Sequence, residues 1–420
     1  MPSNYFMVQS LTIIILVIVI GKYAFDMVMG LMNSKYSEKK GIPAELSDVY
    51  DKEKYQKQQA YSKANLRLGI VDNSLNTTIL IVVIFASLFA YVDSLSVSIT
   101  EHRILQSLTF FAIISLVSGV ISLPFDIIST FKIDEKFGFN KSTPKIFVLD
   151  MLKGILLSVV LGGGLGYLLI MFYYAFPDTY WIIAGAVVSA FSLFFAMFYS
   201  TLIVPLFNKQ MPLEEGALKE ALMKLADDTG FSLKNVYVID GSKRSTKSNA
   251  YFTGLGKTKR IVLYDTLIKD LTVEEITAVM AHEIGHYKKK HIVKSMIAGI
   301  LQIFAMLYLL TVCLRFEELS YALNFTRHTF HSGILAFSLL MTPLSMLIGI
   351  VSSYFSRKNE YEADAFAASY VDKKYLVSGL KKLSANNLSN LTPHPLYVRI
   401  NYSHPTLLQR MNNLGAGNNG

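Results

Sequence analysis

The sequence predicts a mainly α-helical membrane protein, in which seven transmembrane helices form a bundle and a smaller α+β part lies outside the membrane. Of its 420 residues, 52% are hydrophobic and only 17% are charged, whereas about a quarter of an average soluble chain is charged. The mean hydropathy is +0.38. Seven apolar stretches are long enough, or nearly so, to cross roughly 30 Å of hydrocarbon. These observations exclude a disordered protein, a coiled coil and an ordinary soluble enzyme.

The seven apolar stretches set the order of the predicted elements. The first has no basic segment before it and no small-residue cleavage site, so we expect a retained span rather than a cleaved signal peptide. The predicted spans are 5–25, 76–92, 105–128, 147–173, 180–204, 293–314 and 333–354. They divide the chain into an N-terminal region with five helices (1–204), a polar connection (205–292), helices six and seven (293–354) and a C-terminal region (355–420).

The positive charges predict the orientation of the chain. The connections on one side of the membrane are rich in lysine, and examples are Lys35, Lys39, Lys40, Lys132, Lys136, Lys141, Lys145, Lys288, Lys289 and Lys290. The short connections on the other side contain Arg103, Arg315 and Arg327 as their only cations. By the positive-inside rule, the N-terminus is outside or lumenal and the C-terminus is cytoplasmic. The net charge of +9 therefore indicates a lipid bilayer as partner, and no nucleic acid.

The connections between the spans differ in their predicted structure. The first, 26–75, is amphipathic, and Pro43 and Asp48 could open a helix within it. The second, 129–146, reads as a charged loop. In the largest connection, a helix ends at Gly230 and Thr272 and Glu275 form a capping box that opens another. Its predicted extended segments are 236–240, 249–254 and 260–265, which makes this connection a small α+β unit.

The helix that follows Thr272 carries the strongest chemical motif, His282-Glu283-Ile284-Gly285-His286. Histidines four residues apart lie on one helical face with Cβ atoms about 6 Å apart, which suits two ligands of one Zn²⁺. Glu283 lies next to the first ligand and can act as a general base toward water. The alternative is a pair of exposed histidines on a charged helix. The single cysteine, Cys313, excludes an internal disulfide framework and a CxxC-type metal site.

A catalytic zinc needs a third protein ligand, and the acidic segment after the seventh span offers candidates. Glu360 and Asp364 share a helical face, whereas Glu362 points elsewhere. We expect Glu360 to bind the metal and Asp364 to orient a ligand histidine. Spacing alone leaves Glu362 open as the ligand, and the segment could also be a solvated face beside the membrane.

Other residues are candidates for substrate contact. Asn249, Ala250 and Tyr251 form an extended segment whose edge could bind a peptide by β-augmentation, with Asn249 holding a substrate carbonyl; an ordinary turn and strand is the alternative. His404 could stabilise an oxyanion or be a surface residue in a turn. Arg410 could pair with a carboxylate or be an exposed cation.

Several polar residues have no predicted partner. We expect His291 and His394 to be surface residues. Asp126 and Asp150 lie near span ends, where a polar lining role and an interfacial charge are both open.

Taken in order, these segments resemble the type I CaaX prenyl proteases, seven-span zinc metalloproteases of the gluzincin group. HExxH by itself occurs in many proteases, but the ordered set with seven spans is specific. The segments that carry the resemblance are 125–145, 205–219, 248–254 (SNAYFTG), 282–291 (HEIGHYKKKH), 355–365 (FSRKNEYEADA) and 402–410 (YSHPTLLQR).

The resemblance implies a ring of seven helices around a water-filled intramembrane chamber, closed at the cytoplasmic end by a site with one zinc ion per chain. It implies roles for residues already singled out. These are His282, His286 and Glu360 as zinc ligands, Glu283 as general base, Asn249 as a substrate contact, His404 as an oxyanion or substrate group, and Asp364 and Arg410 as part of the site.

The substrate implied by the resemblance is a peptide or protein, with or without a prenyl group at a C-terminal CaaX. Compact loops and a GAGNNG end without an ER-retrieval signal suggest a bacterial homologue, hence the inner membrane; a eukaryotic origin would imply the ER membrane. One alternative is a quality-control metalloprotease with non-prenylated substrates. Another is a transporter or scaffold with a structural zinc, against which the intact Glu283 argues. The sequence indicates no oligomeric state.

Overall fold

The computed structural model of the chain describes residues 2–233, 236–253 and 260–415. Its helices, in chain order, are α1 (Pro2–Lys40), α2 (Lys52–Phe85), α3 (Leu88–Ile99), α4 (Arg103–Ile128), α5 (Glu135–Phe137), α6 (Pro144–Leu157), α7 (Gly163–Ala175), α8 (Tyr180–Leu202), α9 (Val204–Phe207), α10 (Ala217–Asp228), α11 (Asp265–Asp270), α12 (Val273–Lys288), α13 (His291–Cys313), α14 (Glu318–Tyr321), α15 (Phe330–Leu340), α16 (Thr342–Tyr370), α17 (Lys373–Asn386), α18 (Pro395–Asn401) and α19 (Leu407–Asn413).

The membrane region follows the seven predicted spans. Among the described residues, six helical segments are long and apolar enough to cross a membrane, and α15 with α16, bent by 54° between them, makes a seventh. The predicted span 333–354 crosses that bend. In the most apolar part of each of the six straight spans, only 6 to 17% of the residues are buried. Such low burial is expected for helices around an open interior, because a solid bundle would bury one face of each helix.

Two connections are more helical than predicted. Asp51, and neither Pro43 nor Asp48, caps the helix in the first connection, because its side chain accepts a hydrogen bond from the Lys54 N–H at 2.7 Å. From there α2 runs without interruption into the second span. In the predicted loop 129–146, a π-helical segment (Ser129–Asp134) extends α4 into α5. The prediction of a loop there was therefore wrong for 129–137 and, because α6 begins at Pro144, also for 144–146.

The α+β unit contains a four-stranded sheet with the order β1-β2-β4-β3. Its strands are β1 (Gln210–Pro212), β2 (Val236–Ile239), β3 (Ala250–Thr253) and β4 (Arg260–Tyr264). The pairs β1–β2 and β3–β4 are antiparallel, and β2–β4 is parallel. The three predicted strands are present, and the three-residue β1 was not predicted. Among the described residues no strand pairs with the outer edge of β3, which lies at the end of the order.

A buried hydrophobic core joins this sheet to the helices that follow it. Leu222 of α10, Ile261 of β4, Ile276 of α12 and Leu376 of α17 all belong to one cluster and are at most 1% exposed. The predicted capping box at the start of α12 is present, with both reciprocal hydrogen bonds formed. The core therefore fixes α12 firmly against its neighbours.

The crossing of α12 and α16 brings the two predicted ligand segments together. Gly285 lies so close to α16 that a Cβ at this position would be 3.1 Å from the Cα and the carbonyl oxygen of Ala363. Only glycine permits this approach without displacement, and the contact places His282 and His286 opposite Glu360.

Two buried or half-buried ion pairs join separate parts of the chain. Arg244, which follows β2, donates two hydrogen bonds to Asp150 of α6, at 2.7 and 2.9 Å. At the connections on the other side of the membrane, Arg327 and His331 both bind the buried carboxylate of Asp93. The first pair answers the question left open for Asp150, since it attaches the α+β unit to a transmembrane helix.

Candidate metal centre

Two histidines of α12 face each other in the structure. The Nε2 atoms of His282 and His286 lie 3.1 Å apart. The Nδ1 atom of His282 is 2.8 Å from Oδ1 of Asp364, and the Nδ1 atom of His286 is 3.0 Å from Nδ1 of His291. From these contacts we assign the ring protons to Nδ1 in both residues, which leaves both Nε2 lone pairs pointing at the same point.

Glu360 of α16 adds a carboxylate to this point. Its Oε2 atom lies 3.4 Å from Nε2 of His282, and its Oε1 atom lies 3.2 Å from Nε2 of His286. Glu360 is 4% exposed, and within the described part of the chain its Oε2 has no hydrogen-bond partner. One donor atom from each of the three residues falls within 4.8 Å of the others.

This donor set fits a zinc ion. Two ligand atoms at about 2.0–2.1 Å from a tetrahedral zinc are roughly 3.3–3.4 Å apart, and the separations between these nitrogens and oxygens are 3.1 to 3.4 Å. Two lone pairs and a buried carboxylate oxygen in such proximity repel one another unless a cation lies between them. Nitrogen and carboxylate ligands in a set of three are typical of catalytic zinc sites.

Asp364 and Arg410 both contact Nδ1 of His282. Asp364 is fully buried and accepts two hydrogen bonds from Arg410, from Nε at 2.9 Å and from Nη2 at 2.6 Å. Burial lowers the pKa of Arg410, but the hydrogen bond and charge of Asp364, with further charge from Glu360, outweigh this and raise the pKa. Arg410 therefore remains charged and binds the carboxylate that contacts Nδ1 of His282.

The electrostatics around His282 favour a positive charge. Burial lowers the pKa of this histidine, yet hydrogen bonds to Asp364 and Glu360 raise it overall. Surroundings that stabilise a proton on the ring likewise stabilise a metal cation beside it.

A cavity of about 310 Å³ opens beside His282, His286 and Glu360. Glu283, Asn249 and Ala250 line it, as does His404, whose Nε2 lies 3.3 Å from Oε1 of Glu360. His404 is well exposed, and its Nδ1 is hydrogen-bonded to the hydroxyl of Ser403 at 2.9 Å. Arg410 lines it as well, so five of the predicted substrate or catalytic residues surround one space.

Tyr251 lies elsewhere. Its ring packs edge-on against Tyr264 and belongs to a cluster with Val204 and Ile239, away from the residues that line the cavity. Alternation along β3 explains this, because successive side chains of a strand point to opposite faces.

The structure corrects the prediction for His291, which is buried and only 3% exposed. It lies against His286 and, through Nε2, contacts Glu362 at 3.1 Å. Five residues along a continuous helix would not bring two side chains to the same face. The turn at Lys290, with φ of 59°, does so, and no helical periodicity signals it. Glu362 points away from the ligands, as predicted, and His394 is half-buried at the start of α18.

The fold and the site together define a membrane-embedded metalloprotease. Residues 33–209 match the family model for the CAAX prenyl protease N-terminal region with five membrane helices, and residues 212–417 match peptidase family M48. The chain belongs to the CAAX prenyl protease group of this family.

Similar proteins and a solved structure agree with this assignment. CAAX prenyl protease 1 of Saccharomyces cerevisiae is 37% identical over 90% of this chain and 89% of its own length. A homologue from Arabidopsis thaliana is 36% identical over 93% and 94% of the two chains, and one from Homo sapiens is 31% identical over 88% of each. The crystal structure of S. mikatae Ste24p aligns with a TM-score of 0.90 and 35% identity, covering 96% of this chain and 98% of that chain. These relatives are eukaryotic, and a bacterial origin of this chain stays a prediction.

Proposed function

We propose that the chain is a zinc endopeptidase that cleaves peptide bonds near the C-terminus of CaaX polypeptides at the cytoplasmic side of the membrane. The observation that carries the proposal is the convergence of His282, His286 and Glu360 on one point, beside a cavity lined by Glu283. A structural zinc site would need no carboxylate at the position of Glu283, and this argues against a scaffold or transporter.

The residues of the cavity have separate roles in the reaction. When bound, zinc acidifies water and polarises a carbonyl group. Glu283 takes a proton from the attacking water and delivers it to the leaving amine. His404 donates a hydrogen bond to the oxygen of the scissile carbonyl. Asp364 holds His282 in place, and Arg410, which binds Asp364, also lines the cavity.

The peptide binds in extended form along β3. This strand is the last in the sheet order, so its outer edge can pair with a substrate backbone. Asn249 stands at the beginning of β3, where its carbonyl oxygen accepts a hydrogen bond from Tyr264 N and its side chain accepts one from Ala250 N. These bonds fix Asn249 at the rim of the cavity, in position to contact a substrate carbonyl.

The composition of the cavity wall suits the aliphatic residues of a CaaX sequence. The apolar residues of its lining are Leu267, Val279, Leu376, Leu380 and Leu383. Burial of one Leu or Ile side chain contributes about 1.5–3 kcal/mol. This favours CaaX tails over the polar and irregular peptides that a quality-control protease must accept, and we keep that function as the second candidate.

The location follows from the same arrangement. The chain is a multi-pass membrane protein, and we propose that its lysine-rich side, which contains the metal centre, is cytoplasmic. Its N-terminus is then outside or lumenal. The ER membrane is the proposed location, in keeping with the eukaryotic relatives, and the inner membrane is the location if the chain is bacterial.

The test is cleavage of a farnesylated CaaX peptide by purified protein, beside an unprenylated peptide of the same sequence and the variant Glu283→Gln. Glu283→Gln should retain zinc and lose activity. Release of the aaX tripeptide by wild type, with preference for the prenylated peptide, supports the proposal. Equal cleavage of both peptides indicates general membrane proteolysis, and turnover by Glu283→Gln refutes the assigned base.

A further inference from the structure

The two zinc-ligand histidines differ in the support they receive. His282 donates directly to the carboxylate of Asp364. His286 has no carboxylate at its Nδ1, and its partner there is a second imidazole, that of His291 at 3.0 Å. His291 in turn contacts Oε2 of Glu362 through Nε2, at 3.1 Å. These contacts therefore connect His286 to the carboxylate of Glu362 through one intervening imidazole ring.

The proton positions in this chain of contacts are fixed by elimination. Oε2 of an ionised Glu362 can only accept, so Nε2 of His291 carries a proton and donates it. Nδ1 of the same neutral ring then accepts, and the proton between the two rings lies on Nδ1 of His286. The Nε2 atom of His286 is thereby left as a lone pair that faces the metal point.

The backbone is shaped to make this contact. Lys290 adopts a left-handed conformation, with φ of 59° and ψ of 29°, at the start of α13. A lysine takes this conformation only when the surrounding structure requires it. The turn separates α12 from α13, and it leaves His291 against His286, where it is 3% exposed.

One helix supplies all three acidic partners. Glu360 contacts both ligand histidines, Asp364 contacts His282, and Glu362, on another side of α16, reaches His286 through His291. Any shift of α16 therefore acts on both histidines.

We propose that His291 and Glu362 are a positioning pair, which holds the tautomer and ring orientation of His286 for zinc binding. Neither residue touches the substrate. The inference rests on the proposed zinc site, and it adds two residues to the machinery that serves the reaction. Loss of an outer hydrogen-bond partner of a ligand histidine typically weakens metal binding 10- to 100-fold.

The experiment measures zinc affinity by competition with a chelator, and records the visible spectrum of the Co²⁺-substituted protein. Glu362→Ala removes the acceptor from a half-exposed position, and His291→Leu removes the intervening ring. We expect zinc affinity to fall 10- to 100-fold in both variants, with an altered Co²⁺ spectrum. His291→Gln keeps an acceptor and a donor and should restore part of the affinity. The control variants are Glu214→Gln and His102→Gln, which change exposed residues. Both proteins should bind zinc with the affinity of wild type.

The double variant with Glu362→Ala and His291→Leu shows whether the two residues act on zinc affinity together or independently. Because Glu362 acts on His286 only through His291, Glu362→Ala should add little to His291→Leu. Additive losses, or zinc affinity within twofold of wild type in both single variants, would overturn the positioning role while leaving the zinc site intact. Absence of zinc from wild-type protein would overturn the proposed function and this inference together.

Discussion

Gly285→Ala should separate the geometry of the metal centre from the stability of the fold. The new Cβ would stand 3.1 Å from the Cα and carbonyl oxygen of Ala363 and 3.2 Å from the Cβ of Phe366. Two of these three contacts are backbone, which cannot rotate away. To regain an ordinary contact of at least 3.4 Å, α12 and α16 must move apart by about 0.3 Å or more.

The energetic terms of this substitution oppose each other. Alanine in a helix interior gains about 1 kcal/mol over glycine, and overpacking of a core typically costs about 1–3 kcal/mol. The free energy of unfolding should therefore change little, or fall by up to about 2 kcal/mol. The displacement acts directly between His286 and Glu360, however, and a 1 Å misplacement costs about 100-fold in rate. We expect catalytic activity to fall between about threefold and tenfold.

The assay compares peptide cleavage, zinc affinity and thermal unfolding of Gly285→Ala with those of wild type. Gly299→Ala is the matched control, because this glycine lies in α13 with no atom within 4 Å of a new Cβ. Wild-type zinc affinity and activity in Gly285→Ala would refute the reasoning that the close approach of the helices sets the ligand geometry. A loss of the same size in Gly299→Ala would also refute it.

Two further predictions concern buried charges. Arg410→Leu leaves the fully buried Asp364 with His282 as its remaining hydrogen-bond partner, so thermal unfolding should show a loss of about 3–5 kcal/mol, and unchanged stability would contradict the role assigned to the arginine. For Glu275, burial raises the pKa, but hydrogen bonds from Lys382 and Ser378 lower it below the ordinary value of 4.5. The stabilisation is therefore complete above about pH 4.5 and is lost as the pH falls toward the lowered pKa. Unfolding midpoints measured from pH 5 to 3 should fall less steeply for Glu275→Gln than for wild type, and equal slopes over that range would contradict the prediction.

Patterns within a single helix were predictable from the sequence. Both histidines of HExxH lie on α12, so their separation follows from helix geometry, and the capping box at Thr272 and Glu275 is equally local. The apolar spans depend on composition alone, because the bilayer demands long helices wherever apolar residues continue. The strands of the α+β unit could be read in the same way, except for the three residues of β1.

Contacts between different helices could not be predicted from patterns within one helix. Spacing left Glu360 and Glu362 as alternatives, since the choice depends on how α16 crosses α12. His291 was misjudged because its burial results from a turn at Lys290, and lysine is a residue that usually avoids that conformation. The bend between α15 and α16 could not be seen either, because the apolar pattern continues through it.

The length of α16 has a mechanical consequence. From Thr342 to Glu360 the helix is uninterrupted and, at 1.5 Å per residue, about 27 Å long. A tilt of only about 5° at its membrane end would carry the carboxylate sideways by about 2 Å, which is as long as a metal–ligand bond. Membranes of different thickness impose such tilts. The two hydrogen bonds from Arg410 to Asp364, one helical turn beyond Glu360, attach this end of α16 to α19 and would oppose such a displacement.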